Sequence, residues 1–243
     1  MVTFVLVHGA WHGGWCWRKV VPLLEAAGHE VYAPTLTGLA ERAPLLTPDV
    51  GLGTHVLDIV GLLEEKDVRS AVLVGHSYAA MVITGAAGQV PARIAHLVYL
   101  DTFVPRDGES MADVAPITIR FFRRQAKAQG DGWKVNPPRN DSFGVTAEPD
   151  RSWVLSKVTP QSLKTFEQPL QLNDPTIVST KPRTHISCTA GGLFVSLVRH
   201  ILPDGRRALP PKAPGWRLRE LPTGHDAMIT MPRELVDLLL EIA

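Results

Sequence analysis

A three-layer α/β fold, a mostly parallel sheet with helices on both faces, is predicted by three features of this sequence. Short apolar runs alternate with segments of helical periodicity. The first of those runs is apolar at every position rather than every second one, as in a strand covered on both sides. The spacers between runs are long enough for helical crossovers, which parallel neighbours require.

Taken in order, Phe4-Val5-Leu6-Val7 is the first strand and stops at His8-Gly9. Trp17, Val20, Val21 and Leu24 then fall at helical spacing, with Gly28 at the C-terminal cap position and Pro22 either in the first turn or at a kink. Glu30 to Ala33 is the second strand. After a Pro/Gly/Thr-rich loop, Thr54 is placed to cap a helix whose stripe is Val56, Ile59, Val60 and Leu63. Ala71 to Gly75 is the third strand, Ala79 to Ala87 offers small residues for a helix lying close on the sheet, Pro91 breaks that helix, and His96 to Leu100 is a fourth strand ending at Asp101. From about 105 to 181 the pattern changes to scattered aromatics, prolines and short polar clusters, which reads as an inserted cap. Thr184 to Thr189 and Trp216 to Leu221 resume the strands, and Pro232 opens a closing helix with Leu235, Leu238, Leu239 and Ile242 on one face. Pro210-Pro211-Lys212 reads as a surface loop. Without an internal repeat, one domain over 1–243 carrying the cap is expected.

A chain of 243 residues can bury one substantial core. Its formal charge of +1, from 25 Lys+Arg against 24 Asp+Glu, provides no basic field for nucleic acid. No apolar run approaches the roughly 20 residues that span a bilayer, and the N-terminus lacks the pattern of a signal peptide. Cys16 and Cys188 have neither metal nor redox spacing. The expectation is a soluble, cytoplasmic protein with a small-molecule partner and neither nucleic acid nor membrane; a homodimer stays open.

Gly75-His76-Ser77-Tyr78-Ala79 follows a buried strand and opens a helix, the setting of a nucleophile elbow, in which a tight turn pushes the serine hydroxyl out of the sheet. The common pattern ends in Gly where this chain has Ala79. His225 stands between the last strand and the closing helix, where the base of such an enzyme belongs. His8, His12, His55, His76 and His96 compete; His8 belongs to a strand-end turn, His55 starts a helix and His76 lies inside the elbow, so structural roles suit them better. A backbone amide in His8-Gly9-Ala10-Trp11 can turn toward a substrate and, with the amide of Tyr78, form an oxyanion hole.

The run His8-Gly9-Ala10-Trp11-His12-Gly13-Gly14-Trp15-Cys16-Trp17, followed by Leu23-Leu24-Glu25-Ala26-Ala27-Gly28-His29, resembles the plant methylesterase, salicylate-binding esterase and hydroxynitrile lyase group of the α/β-hydrolase superfamily, and bacterial esterases of the same lineage. The likeness extends through the elbow, Leu97 to Pro105 and the His225 loop; the cap matches loosely. It implies an α/β-hydrolase fold, Ser77 as nucleophile, His225 as base, and Ala10 and Tyr78 as the oxyanion amides. The lyases carry Thr where this chain has Gly9 and Lys where it has Asp226, so the resemblance implies ester hydrolysis rather than cyanohydrin cleavage.

The family places its acid just after the strand ending Ile186-Ser187-Cys188-Thr189, yet Ala190-Gly191-Gly192 follows here. Asp101 is the substitute expected, with a role in capping strand-end amides as the alternative; Asp226 adjoins His225 too closely in sequence, and Asp204 would have to fold inward from a Pro/Gly-rich loop. Of the many cap and first-turn aromatics, Trp11, Phe103, Phe121, Trp133 and Trp153 are expected to line the pocket. The reading is a serine hydrolase for a small apolar or aromatic carboxylic ester, working through an acyl-enzyme without metal or organic cofactor. A weakly catalytic ligand-binding protein and a lyase or tailoring enzyme are the alternatives.

Overall fold

The apolar run at the start of the chain lies inside a sheet, not at its edge. A computed structural model describes residues 1–138, 141–190 and 214–243. Thr3–Val7 (β1) is followed by a 3-10 turn at Gly14–Trp17, a short helix Val21–Ala26 (α1) and Glu30–Tyr32 (β2). Then come Leu52–Glu65 (α2), Ala71–His76 (β3), Ala79–Gln89 (α3) and Ile94–Leu100 (β4). The segment between β4 and the next sheet strand contains Met111–Val114 (α4), Pro116–Gln129 (α5), Lys134–Val135 (β5), Asp150–Lys157 (α6), Gln161–Ser162 (β6), Lys164–Glu167 (α7) and Pro175–Ser179 (α8). Arg183–Cys188 (β7), Trp216–Leu221 (β8), Ala227–Thr230 (α9) and Pro232–Leu240 (α10) complete the described elements.

The six-stranded sheet runs β2-β1-β3-β4-β7-β8, with every neighbouring pair parallel. From β1 the chain moves outward to β2 and then returns across β1 to β3. Loops leaving β1 and β3 therefore diverge, and a crevice opens between them at the C-terminal edge, the position where open α/β sheets bind ligands. Every residue of β3 is buried and α3 is buried from Ala79 to Gly88, so the strand and helix that flank Ser77 form the centre of the core.

Two helix starts differ from the sequence reading. Trp17 belongs to the 3-10 turn, and α1 begins only at Val21 with Pro22 in its first turn; Trp17, Val20 and Leu24 are nevertheless buried as one stripe, and Gly28 has the left-handed φ of +85° expected of the cap position. Thr54 is the third residue of α2 rather than its cap, and its hydroxyl accepts the Gly51 N–H at 3.3 Å. Between β4 and β7 the only described strands are the two-residue antiparallel pair β5 and β6. The loop at Pro210-Pro211-Lys212 lies outside the described residues. No described helix is long and apolar enough to cross a membrane.

Candidate active site

Ser77 occupies the turn between β3 and α3 with φ of +56°, a left-handed conformation that a serine adopts only when its surroundings hold it there. The end of β4 does so. The Ser77 N–H donates to the Leu100 carbonyl at 3.1 Å, and the Thr102 hydroxyl donates to the Ser77 carbonyl at 2.7 Å. The tightest approach in this elbow falls at Gly75, where a Cβ would stand 2.8 Å from the Ala79 carbonyl oxygen and 2.9 Å from Ile83. Ala79 itself is fully buried, so its methyl group is accommodated.

Asp101, also left-handed at φ of +45°, ends β4 beside the elbow. Its Oδ1 accepts the Cys188 N–H at 2.9 Å and its Oδ2 accepts Nδ1–H of His225 at 2.7 Å. Both side chains are buried. The His225 loop is held from two sides. His76 Nε2–H donates to the His225 carbonyl at 3.0 Å, and the Asp226 N–H donates to the Phe143 carbonyl at 3.0 Å. His225 therefore packs against the residue that precedes Ser77, with ring centroids 4.4 Å apart. Asp204 lies outside the described residues.

In front of Ser77 is a cavity, partly open to solvent and lined mainly by apolar side chains. Ala10 and Tyr78 line it on either side of Ser77, and neither backbone amide is taken by an acceptor among the described residues. Trp11, Phe103, Phe122 and Phe166 contribute to the apolar wall; Asp101, already bonded to His225, is the only carboxylate that lines it among the described residues. Phe166 joins Trp11, Phe122 and Tyr78 in an aromatic cluster with centroids 5.8, 5.2 and 5.7 Å away.

Three of the aromatics expected in the pocket lie elsewhere. Phe121 is 62% exposed; it is the helical neighbour of Phe122, about 100° away around α5, and only one of the two can face inward. Trp153 stands edge-on to Trp15 with the Arg18 guanidinium 3.4 Å above its ring, on the side of the first 3-10 turn. Trp133 lies beneath the Lys134 ammonium, and its carbonyl accepts the Leu163 N–H.

Behind the site is a set of buried histidines. Burial holds His8 down to about 3 and His55 down to about 4, and their bonds suit neutral rings: His8 Nε2 accepts the Leu36 N–H, and His55 Nε2–H donates to the Thr37 carbonyl while Nδ1 receives the Tyr78 hydroxyl. His76 is likewise pushed well below the usual range by burial. His12 is the exception. Burial would lower it, but the Asp226 carboxylate at 3.0 Å outweighs that and raises it. His76, His225 and Asp226 could bring one ligand atom each to a common point, but each already spends a side-chain atom on a bond, His76 Nε2 on the His225 carbonyl, His225 Nδ1 on Asp101 and Asp226 Oδ2 on His12.

The Alpha/beta hydrolase family model matches residues 4–238. The chain belongs to the α/β hydrolase family. Among curated members, it is 38% identical to the carbendazim hydrolyzing esterase of Nocardioides sp. (strain SG-4G), over 98% of each chain. It is 28% identical to methylesterase 1 of Arabidopsis thaliana, over 99% of this chain and 95% of that one. Among solved structures, an extracellular α/β-hydrolase from a Paenibacillus species superposes with a TM-score of 0.79 at 24% identity, covering 99% and 98% of the two chains. The chain is thus a hydrolase of the α/β hydrolase family.

Within that α/β hydrolase frame the structure brings together Ser77, Asp101, Ala10, Tyr78, Trp11 and Phe103 around one cavity, with His225 bonded to Asp101. The sequence reading had no role for Gln161, and left His12 and Asp226 outside the site. The sequence carries no motif for the first; the second signal was present, since His12 stands in the long opening motif and Asp226 adjoins His225.

Proposed function

We propose that this hydrolase cleaves small neutral esters of apolar or aromatic character through an acyl-enzyme on Ser77. Ester hydrolysis agrees with the esterase names of its relatives. The observation that carries the assignment of residues is the 2.7 Å bond from His225 Nδ1–H to Asp101 Oδ2 beside a left-handed serine at a strand-to-helix turn. With Nδ1 protonated, Nε2 is the basic nitrogen. His225 takes the Ser77 hydroxyl proton as Oγ bonds to the carbonyl carbon, and Asp101 stabilises the imidazolium that forms. The Ala10 and Tyr78 amides receive the negative oxygen, each worth about 2.7 to 4 kcal/mol when aligned. His225 then passes the proton to the departing alcohol, and a water repeats the sequence to release the acid. We read residues 105–181 as a cap on a single domain, its aromatics selecting an uncharged acyl or alcohol group. Cys16 and Cys188 are buried free thiols, which fits a reducing compartment such as the cytoplasm.

A fluorophosphonate probe tests this reading. Mass spectrometry should find the adduct on Ser77, and Ser77→Ala should lose both labelling and turnover of a panel of aryl and methyl esters that includes carbendazim. An unlabelled wild-type protein, or equal labelling of Ser77→Ala, would leave ligand binding without catalysis as the function.

A further inference from the structure

Trp11 lies directly after Ala10 and has φ of +64°, a conformation that bulky residues avoid. The shortest way to relieve it is a flip of the peptide joining the two residues, which would carry φ of Trp11 to the ordinary negative side while turning the Ala10 carbonyl and Trp11 N–H through half a revolution. Both ends of that peptide are gripped. On one side the Trp11 N–H donates to Gln161 Oε1 at 2.9 Å; on the other the Ala10 carbonyl accepts Nδ1–H of His12 at 2.8 Å.

Each grip is itself oriented by a second contact. The Thr165 hydroxyl gives its proton to the Ser162 carbonyl at 2.7 Å, so its oxygen must accept from Gln161 Nε2 at 2.7 Å, which leaves Oε1 as the atom facing Trp11. Gln161 and Thr165 are fully buried. On the other side both ring nitrogens of His12 face acceptors, Nε2 the Asp226 Oδ2 at 3.0 Å and Nδ1 the Ala10 carbonyl, so the two bonds are made together by the imidazolium, the form that the Asp226 carboxylate favours. The Thr159 N–H on the Trp11 carbonyl and the Val135 carbonyl on the Trp11 indole N–H fix the residue's far side.

We propose that Gln161, oriented by Thr165 and opposed by the His12–Asp226 pair, is a positioning residue that locks the Ala10–Trp11 peptide and thereby holds the Ala10 amide toward the oxyanion. This rests on the reading of Ala10 as an oxyanion donor. The Ala10 N–H belongs to the preceding peptide, linked through one Cα, so a flip of its neighbour frees it to swing out of line. The clamp acts on the tetrahedral species and not on ground-state binding.

The test compares Gln161→Met, which keeps length and loses the acceptor, with Gln161→Glu, which keeps an acceptor oxygen, and Thr165→Val, which leaves Gln161 in place but frees its amide to rotate. A lost oxyanion donor costs about 10² to 10³ in kcat. Gln161→Met should lower kcat about 30-fold or more, and Thr165→Val should follow in the same direction, with KM within about threefold of wild type. Affinity for an arylboronic acid, which forms a tetrahedral adduct with the serine, should fall in parallel with kcat, and Gln161→Glu should recover part of both. If Gln161→Met does not fold, Thr165→Val decides. Unchanged kcat and boronate affinity in folded variants, or a rise in KM that accounts for the whole effect, overturns the clamp while Ser77 labelling of the wild type still stands. Failure of the wild type to label removes the functional reading and the clamp together.

Discussion

His225 reaches Asp101 across 124 positions of sequence, and the carboxylate divides its two oxygens between that ring and the Cys188 amide. Asn at position 101 can keep the Cys188 bond and the shape, but it presents an N–H where His225 needs an acceptor. The ring must then carry its proton on Nε2, the nitrogen that has to accept from serine. Asp101→Asn should lower kcat about 10⁴-fold, as in other triads. Measured beside Asp204→Asn, a loss of less than about tenfold at Asp101, or a larger one at Asp204, would assign the acid elsewhere.

Gly9 is packed against the elbow it helps to shape: a Cβ there would meet His76 Nδ1 at 2.8 Å and Ser77 Cβ at 3.0 Å. The threonine that related lyases carry at this position therefore has no room here. We expect Gly9→Thr with Asp226→Lys to lose ester turnover by about 10² or more through displacement of Ser77, without gaining cleavage of mandelonitrile. Kinetics on both substrates check this; cyanohydrin cleavage at a rate matching wild-type ester turnover would contradict it.

Phe122 lines the cavity, and Phe121 does not. Phe122→Ala should raise KM for aryl esters about 5- to 150-fold, for about 1 to 3 kcal/mol of lost apolar contact, whereas Phe121→Ala should leave both KM and kcat within about twofold. Phe166→Ala, at a fully packed position, should also cost about 3 to 5 kcal/mol of stability. A KM effect of equal size at Phe121 would mean that α5 presents the opposite face.

Acid should destabilise this protein well before its carboxylates titrate. An unfolded histidine binds a proton near pH 6.5, whereas folded His8 waits until about 3 and folded His55 until about 4, so in between the unfolded chain holds more protons. Each such histidine removes about 1.4 kcal/mol per pH unit. His12 works with the opposite sign: its stabilisation is complete below pH 6.5 and is lost as pH rises through its raised value. Urea midpoints should fall from pH 6.5 to 4.5; a level midpoint over that range would contradict the neutral assignments.

The middle of the sheet was legible because its strands there are buried on both faces, which makes Phe4–Val7 and Ala71–Gly75 plain apolar runs. Ser77 was proposed from the elbow motif in its strand-to-helix setting, His225 from chain order and Asp101 by elimination. The pocket was less legible. Between β4 and β7 the aromatics follow no sustained period, so Phe121 and Phe122 look alike in sequence although one is in solvent. Gln161 was invisible because its partner is a backbone amide 150 positions away, a contact that no local pattern announces. Asp226 was set aside as a partner of the His225 ring, and its side chain turns instead to His12, 214 positions away, another contact that no local pattern announces.

Trp11, Ser77 and Asp101, at the ends of three adjacent strands, all have left-handed backbones without being glycine. Each such residue costs of order 1 to 3 kcal/mol. Random mutagenesis screened only for survival of heating would therefore find gains at the working residues as well as at Ala40, Asp67 and Asp131, which share that backbone, with Gly replacing Ser77 and Asn, which tolerates this backbone better, replacing Asp101. The hardiest variants from such a library would be inert, so turnover has to be scored in the same round as heat resistance.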